Sequence, residues 1–310
     1  MRIAFVFPGQ GSQSVGMMQS FAELPGVHES FAQASDLLGQ DLWKLAAEGP
    51  ADELNLTANT QPVMLVAGVA LYRAWQARQG SAPAIMAGHS LGEYTALVAG
   101  GALEFADAVP LVRFRARAMQ EAVPAGVGAM AAILGLDDDT VRALCSEASR
   151  TNEVVEAANF NSPAQVVIAG NKAAVERGMQ IAEARGAKRA VLLPMSVPSH
   201  CSLMQPAAKR MRQELGSRAF RRGTVPVLHN ADVKSAESPD AIKDALVRQM
   251  VQPVRWVETV RQMVSDGVTH IVECGPGKVL AGLNKRIAPE SKILSFSDGA
   301  AFVQALSVLK

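Results

Sequence analysis

The stretch AIMAGHSLGEYTALVA, Ala84 to Ala99, decides the fold. Ala84 to Gly88 is short, apolar and bounded by a glycine, as a buried strand would be. Leu91 to Ala99 is a run of small and apolar residues that reads as a helix. Between them Gly88-His89-Ser90-Leu91-Gly92 matches G-x-S-x-G, the nucleophile elbow of α/β enzymes. A turn that tight leaves no room for side chains at its flanking positions, hence the glycines. It lifts the Ser90 hydroxyl above the carboxyl end of the strand. The N-terminus of the following helix aims free N–H groups at the same place, so the Leu91 N–H can donate to an oxyanion forming there.

Working outward, the strand–helix alternation recurs on both sides. Ile3 to Phe7 reads as a buried strand ended by Pro8-Gly9. Val225 to Leu228, His270 to Glu273 and Ile293 to Phe296 read as further short strands. Helices are expected over Asn59 to Gln79, with Asn59 or Thr60 as cap and Pro62 in the first turn, and over Phe105 to Ala122, with Pro110 in its first turn or kinking it. Others fall at Ser202 to Leu215, Pro239 to Met250, Trp256 to Asp266, Lys278 to Ile287 and Asp298 to Leu309. Short apolar strands alternating with helices imply an α/β fold, a mostly parallel, hydrolase-like sheet flanked by helices.

One segment has a different rhythm. Ala129 to Leu136 reads as a strand, and Asp137 to Asp139 cap a helix ending near Ala148. Val154 to Phe160 and Gln165 to Ala169 read as strands joined by the turn Asn161-Ser162-Pro163. Lys172 to Arg185 reads as a helix closed by Gly186, and Arg189 to Leu193 as a last strand. The order β-α-β-β-α-β is that of a ferredoxin-like unit. The expected organisation is a large catalytic domain of residues 1–124 and 197–310, with a small ferredoxin-like domain, 125–196, inserted. Val123-Pro124-Ala125-Gly126 and Pro194 to Pro198 are the expected crossings.

Composition narrows the function. The 310 residues carry 30 Lys and Arg against 29 Asp and Glu, which argues against a nucleic-acid-binding face. Half the chain is apolar, so it is not a disordered segment. The longest apolar stretch, Pro62 to Tyr72, is too short to span a bilayer. Only five apolar residues, Ile3 to Phe7, precede Pro8, which is too few for a signal peptide. Three scattered cysteines (Cys145, Cys201 and Cys274) make no disulfide framework and suggest a reducing compartment. A cytoplasmic soluble protein without membrane contact is expected.

A serine nucleophile needs a base. Of the five histidines, His89 adjoins Ser90 on the turn and should point away. His28 sits on an amphipathic helix, and His229 and His270 lie at strand edges. His200 follows the inserted unit and precedes a helix, where a side chain can reach an interdomain cleft. Residue type alone leaves the five open. Pro8-Gly9-Gln10-Gly11 does not complete a dinucleotide motif, and Gly275-Pro276-Gly277-Lys278 lacks the phosphate-loop spacing. No paired metal-ligand spacing occurs, and no metal is expected.

Several motifs together carry a resemblance over almost the whole chain: FPGQGSQ (Phe7 to Gln13), TQP (Thr60 to Pro62), GHSLGEY (Gly88 to Tyr94), RFRARAMQ (Arg113 to Gln120), NSPAQVVIAG (Asn161 to Gly170), VPSH (Val197 to His200), QPVRW (Gln252 to Trp256) and ECGPGKVL (Glu273 to Leu280). The chain resembles the malonyl-CoA:acyl-carrier-protein transacylases of bacterial fatty acid synthesis and, more distantly, polyketide-synthase acyltransferase domains. The resemblance implies Ser90 as acylated nucleophile and His200 as base and then acid. It implies the Gln10 and Leu91 N–H groups as oxyanion donors and Arg115 as the grip on the malonyl carboxylate. Gln249 falls where the family places a backbone carbonyl that orients the histidine. Malonyl-CoA and acyl carrier protein are the implied partners. CoA thioester and phosphopantetheine are then substrates, and no cofactor is needed.

A guanidinium can hold a carboxylate with two parallel hydrogen bonds. Read as a bare residue, Arg115 belongs on a solvated helix face or in an ion pair with Glu121 or Asp107. Lys209, Arg210, Arg212, Arg218, Arg221 and Arg222 form a basic run that could steer an acidic carrier or be only a solvated surface. The rival functions are a serine thioesterase or hydrolase, whose late histidine would be His270, a non-catalytic carrier-docking subunit, and a transacylase associated with malonate decarboxylase.

Overall fold

A computed structural model of the chain describes residues 1–194 and 197–310. In chain order the strands are β1 (Ile3–Phe7), β2 (Ile85–Gly88), β3 (Gly128–Leu134), β4 (Val155–Ser162), β5 (Gln165–Asn171), β6 (Arg189–Leu192), β7 (Val227–Leu228), β8 (His270–Glu273) and β9 (Lys292–Ser295). The helices are α1 (Val27–Leu38), α2 (Leu42–Glu48), α3 (Ala51–Asn55), α4 (Thr57–Ala77), α5 (Gly92–Ala99), α6 (Phe105–Ala122), α7 (Asp138–Ala148), α8 (Lys172–Ala184), α9 (Gln205–Gly216), α10 (Pro239–Val251), α11 (Trp256–Ser265), α12 (Val279–Ile287) and α13 (Gly299–Leu309).

Strand β1 is buried at all five positions because it is the centre of a parallel sheet ordered β7-β2-β1-β8-β9. Its side chains alternate. Phe5 and Phe7 enter one core with Tyr72, Trp75, Phe296 and Phe302, while Ala4 and Val6 face Trp256, Val260 and Leu283 on the other side. Phe5 meets the rings of Tyr72, Trp75 and Phe296 edge-on, at 5.4 to 6.0 Å between centroids. Helices cover both faces, as the apolar strands require.

The second sheet, ordered β4-β5-β3-β6, is antiparallel throughout. Numbered within the segment its strands run 2-3-1-4, the ferredoxin-like order. Helices α7 and α8 pack on one face through Leu144, Val175 and Ile168. The other face presents Met130, Ala158, Val167 and Ala169 toward Cys201. Asp137 caps α7 by accepting from the Thr140 N–H. The crossing expected at Pro194 to Pro198 includes Met195 and Ser196, which lie outside the described residues.

Several boundaries differ from the sequence reading. Helix α4 begins at Thr57, so Pro62 lies in its second turn; Pro110 holds the same position in α6. Asn59 and Thr60 do not cap α4. Their side chains donate to the Glu53 and Leu54 carbonyls and close α3 instead. Strand β4 runs to Ser162, leaving Pro163 and Ala164 as the turn, with Ala164 at φ 59°. Strand β7 is only Val227–Leu228, since Pro226 has no N–H to give a ladder. The helix expected from Ser202 opens as a 3-10 turn, and α9 starts at Gln205.

Candidate active site

Ser90 follows β2 at φ 53°, in the left-handed region, a conformation that costs a non-glycine residue about 1–2 kcal/mol. A Cβ on Gly88 would lie 1.8 Å from the Gly92 carbonyl, and one on Gly92 would lie 2.0 Å from the Phe7 oxygen. The motif's glycines are therefore forced by backbone crowding. The Asn230 side chain braces the turn. Its Oδ1 accepts from the Ser90 N–H at 2.7 Å and its Nδ2 donates to the Gly88 carbonyl at 2.7 Å.

His200, also at positive φ (61°), brings its Nε2 to 2.8 Å from Ser90 Oγ. Its Nδ1 donates to the Gln249 carbonyl at 2.7 Å. Burial first, then the nearby Arg115 charge, push the imidazole pKa down to about 3. The ring is neutral, with Nε2 free to accept the serine proton. A backbone carbonyl fixes the tautomer where a Ser-His-Asp triad uses a carboxylate.

Arg115 is buried on α6. It donates to Gln61 Oε1 (2.8 Å), Gln249 Oε1 (2.9 Å) and Ser90 Oγ (3.1 Å). All three acceptors are neutral, and its Nε has no partner among the described residues. The solvated-face and ion-pair alternatives both fail: Glu121 pairs with Arg210, and Asp107 with Arg218. No carboxylate touches the guanidinium, since Glu93 acts on it across the Gln249 amide, and such a buried cation is costly unless an anion can reach it.

The loop after β1 lies against the elbow. A Cβ on Gly9 would sit 2.5 Å from the His89 oxygen and 3.7 Å from the Leu91 nitrogen. The Gln10 and Leu91 N–H groups donate to no other group among the described residues. Gln10, Leu91, Ser90, His200 and Arg115 line one cavity of about 150 Å³, walled on the far side by Met130 and Val167 of the antiparallel sheet. A larger cavity, about 350 Å³, lies behind the elbow near Thr224 and Ala236 and contains none of these groups.

The remaining histidines separate clearly. His89 accompanies Ser90 at the cavity wall, where its Nε2 hydrogen-bonds Asn161 Oδ1 at 2.8 Å and burial lowers its pKa. His229 Nδ1 bonds Glu93 Oε1 at 2.7 Å. His28 packs against Trp43 at the surface, the rings tilted by 47°. His270 pairs in register with Ile3 at the start of β8, the opposite end of the sheet from Ser90. It cannot serve as the late base that a hydrolase reading requires. Arg210, Arg212, Arg218, Arg221 and Arg222 each pair with an acid, so the basic run is largely neutralised. Among the described residues no cluster of three or more His, Cys, Asp or Glu could hold a metal, and no helix is long and apolar enough to cross a membrane.

Three contributors were not assigned from sequence: Asn230, Gln61 and Glu93. Glu93 left a signal, being the only Asp, Glu, Lys or Arg between Arg78 and Glu104, inside a helix of apolar residues. Gln61 stood within a recognised motif without a role. Nothing marked Asn230.

Taken together, an elbow serine, a neutral imidazole and two spare backbone donors are what acyl transfer through a serine ester requires. The acyl transferase domain family matches residues 4–289. The malonyl CoA-acyl carrier protein transacylase of Escherichia coli (strain K12) is 56% identical over 308 residues, 99% of each chain. The acyl-carrier-protein S-malonyltransferase crystal structure from Burkholderia pseudomallei 1710b is 61% identical, with TM-score 0.97 over 99% of this chain and 100% of that one. A malonyl-transacylase solved in complex with its type II PKS acyl-carrier protein is 50% identical, with TM-score 0.98 over 99% and 100%. The chain belongs to the acyl transferase family and, within it, to the malonyl CoA-acyl carrier protein transacylases.

Proposed function

We propose that this protein transfers the malonyl group of malonyl-CoA to the phosphopantetheine thiol of acyl carrier protein, through an ester on Ser90, and so supplies fatty acid elongation. The observation that carries the reading is Arg115: a buried guanidinium with only neutral acceptors, in hydrogen-bond contact with the nucleophile. The malonyl carboxylate is the missing anion. Acetyl-CoA would leave the guanidinium unpaired, and a site built around such a partner rejects the analogue lacking it by roughly 10⁴.

In the first half-reaction His200 Nε2 takes the Ser90 proton as Oγ attacks the thioester carbonyl. The Gln10 and Leu91 N–H groups hold the oxyanion, each donor contributing on the order of 3 kcal/mol. The tetrahedral intermediate collapses, the imidazolium returns its proton to the departing CoA thiolate, and malonyl-Ser90 remains. In the second half-reaction His200 takes the proton of the carrier's thiol, which attacks the ester through the same oxyanion site. Ser90 Oγ leaves and is reprotonated. No cofactor enters, and both thioesters are substrates. The reading places the protein in the cytoplasm.

The test is intact mass after mixing with malonyl-CoA. A malonyl adduct should form, vanish on adding carrier protein, and be absent in Ser90→Ala. Parallel double-reciprocal lines should accompany it, and intersecting lines would sink the ping-pong scheme.

A further inference from the structure

We propose that Glu93 is a positioning residue for acyl selectivity, acting through the Gln249 amide to hold Arg115 ready for a carboxylate. The inference rests on the reading that Arg115 takes the malonyl carboxylate. Glu93 lies on the first turn of α5, three residues after Ser90, and is buried. It accepts from His229 Nδ1 at 2.7 Å, from the Asn230 N–H at 2.8 Å and from Gln249 Nε2 at 2.9 Å. Gln249 Nε2 also donates to the Ser90 carbonyl at 2.9 Å, while its Oε1 accepts from Arg115 Nη2 at 2.9 Å.

The two ends of an amide are not equivalent: one only donates, the other only accepts. Turned over, the Gln249 amide would set its oxygen against the Glu93 carboxylate and the Ser90 carbonyl, and its NH₂ against the guanidinium. Glu93 and the Ser90 carbonyl therefore fix which way the amide faces. The amide in turn gives Arg115 a neutral acceptor. A direct arginine–glutamate pair would occupy the guanidinium with a resident carboxylate and compete with the substrate's own. The interposed amide orients Arg115 and leaves that role open.

Glu93→Leu removes both carboxylate oxygens, so Gln249 Nε2 keeps the Ser90 carbonyl as its one acceptor and the amide loses much of its bias. Gln249→Met removes the amide and keeps the backbone carbonyl on which His200 depends. Single-turnover acylation of Ser90, followed by intact mass, gives a rate constant and an apparent dissociation constant for malonyl-CoA and acetyl-CoA. Both variants should lower the ratio of malonyl to acetyl acylation efficiency by about tenfold or more, whatever each does to the acetyl rate itself. Losses equal for the two thioesters would mean a merely structural role and overturn the proposal. So would full selectivity in Gln249→Met, which decides the matter if Glu93→Leu does not fold. Arg115→Ala separates the failures. If it keeps selectivity, the carboxylate reading itself falls; if it loses selectivity while both other variants keep it, only the relay falls.

Discussion

The Arg115 guanidinium and the His200 imidazole share one hydroxyl: Ser90 Oγ lies 3.1 Å from Arg115 Nη2 and 2.8 Å from His200 Nε2. Arginine can only donate, so the oxygen accepts from it and the hydroxyl's own proton is left for the imidazole. The same charge helps hold the His200 pKa at about 3, which makes the resting imidazole a weak base. A carboxylate arriving at Arg115 would offset that charge and strengthen the base when the correct substrate is bound.

Arg115→Ala should therefore move the acid limb of the rate profile upward. In the proposed mechanism His200 works as a neutral base, so activity should be lost as pH falls through its pKa. With the cation gone and water admitted, that pKa rises from about 3 toward the ordinary 6.5. Acylation by acetyl-CoA, followed as kcat/KM from about pH 4 to pH 8, should fade below about pH 6 in the variant and persist to lower pH in the parent. Identical acid limbs would show that Arg115 does not act on His200.

Asn230→Ala should impair Ser90 without touching its hydroxyl. The variant removes the acceptor for the Ser90 N–H and the donor to the Gly88 carbonyl, leaving the left-handed turn unbraced. We expect acylation to slow by about 10–100-fold and stability to fall by about 1–3 kcal/mol, the range for an orphaned buried hydrogen bond. Single-turnover acylation and urea unfolding read the two effects. Wild-type acylation would mean that the elbow holds its own shape.

Much of this site was legible in the residues because its chemistry is local. The glycines of GHSLG announce a crowded turn, and the strand–helix change around them fixes where Ser90 points. What the residues by themselves left open, and the resemblance alone supplied, was long-range. Arg115 and Ser90 are 25 positions apart, and His200 and Gln249 are 49 apart; only the packing of α6 and α10 against the elbow brings them together. The asparagine brace was invisible because Asn230 is 140 residues from its partner and its type is common in loops. The start of α4 was misread where Pro62 suggested it: the helix opens at Thr57, not Asn59, and Pro62 sits a turn deeper than its usual N-terminal place, whereas α6 has the ends expected of it.

Glu273 should make stability depend on pH. Its carboxyl is buried at the end of β8, and burial raises its pKa to about 7, against the pull of the Leu280 and Ala281 N–H groups that it accepts. A folded pKa above the unfolded 4.5 gives stability that is complete below about pH 4.5 and is lost as pH rises through about 7. Unfolding free energy from urea titrations should thus decline between about pH 5 and pH 8 by an amount of order 1 kcal/mol or more. Glu273→Gln, which cannot ionise, should flatten that slope even if it lowers stability overall. An unchanged slope would assign the dependence to other groups.

Removing Arg221 and Arg222 should have little effect on the carrier half-reaction. Arg221 pairs with Glu104 at 2.6 Å and Arg222 with Glu237 at 3.0 Å, all four side chains more than half exposed. The pairs leave this edge nearly neutral, so little field remains to steer an acidic partner. Exposed pairs of this kind are worth about 0–1 kcal/mol, and their loss should not unfold the protein. Arg221→Ala with Arg222→Ala should leave acylation by malonyl-CoA unchanged and alter kcat/KM for the carrier by less than about threefold at low salt. A loss of tenfold or more, shrinking as salt is added, would mean that both arginines leave their acids to meet the carrier, and that this edge is where it docks.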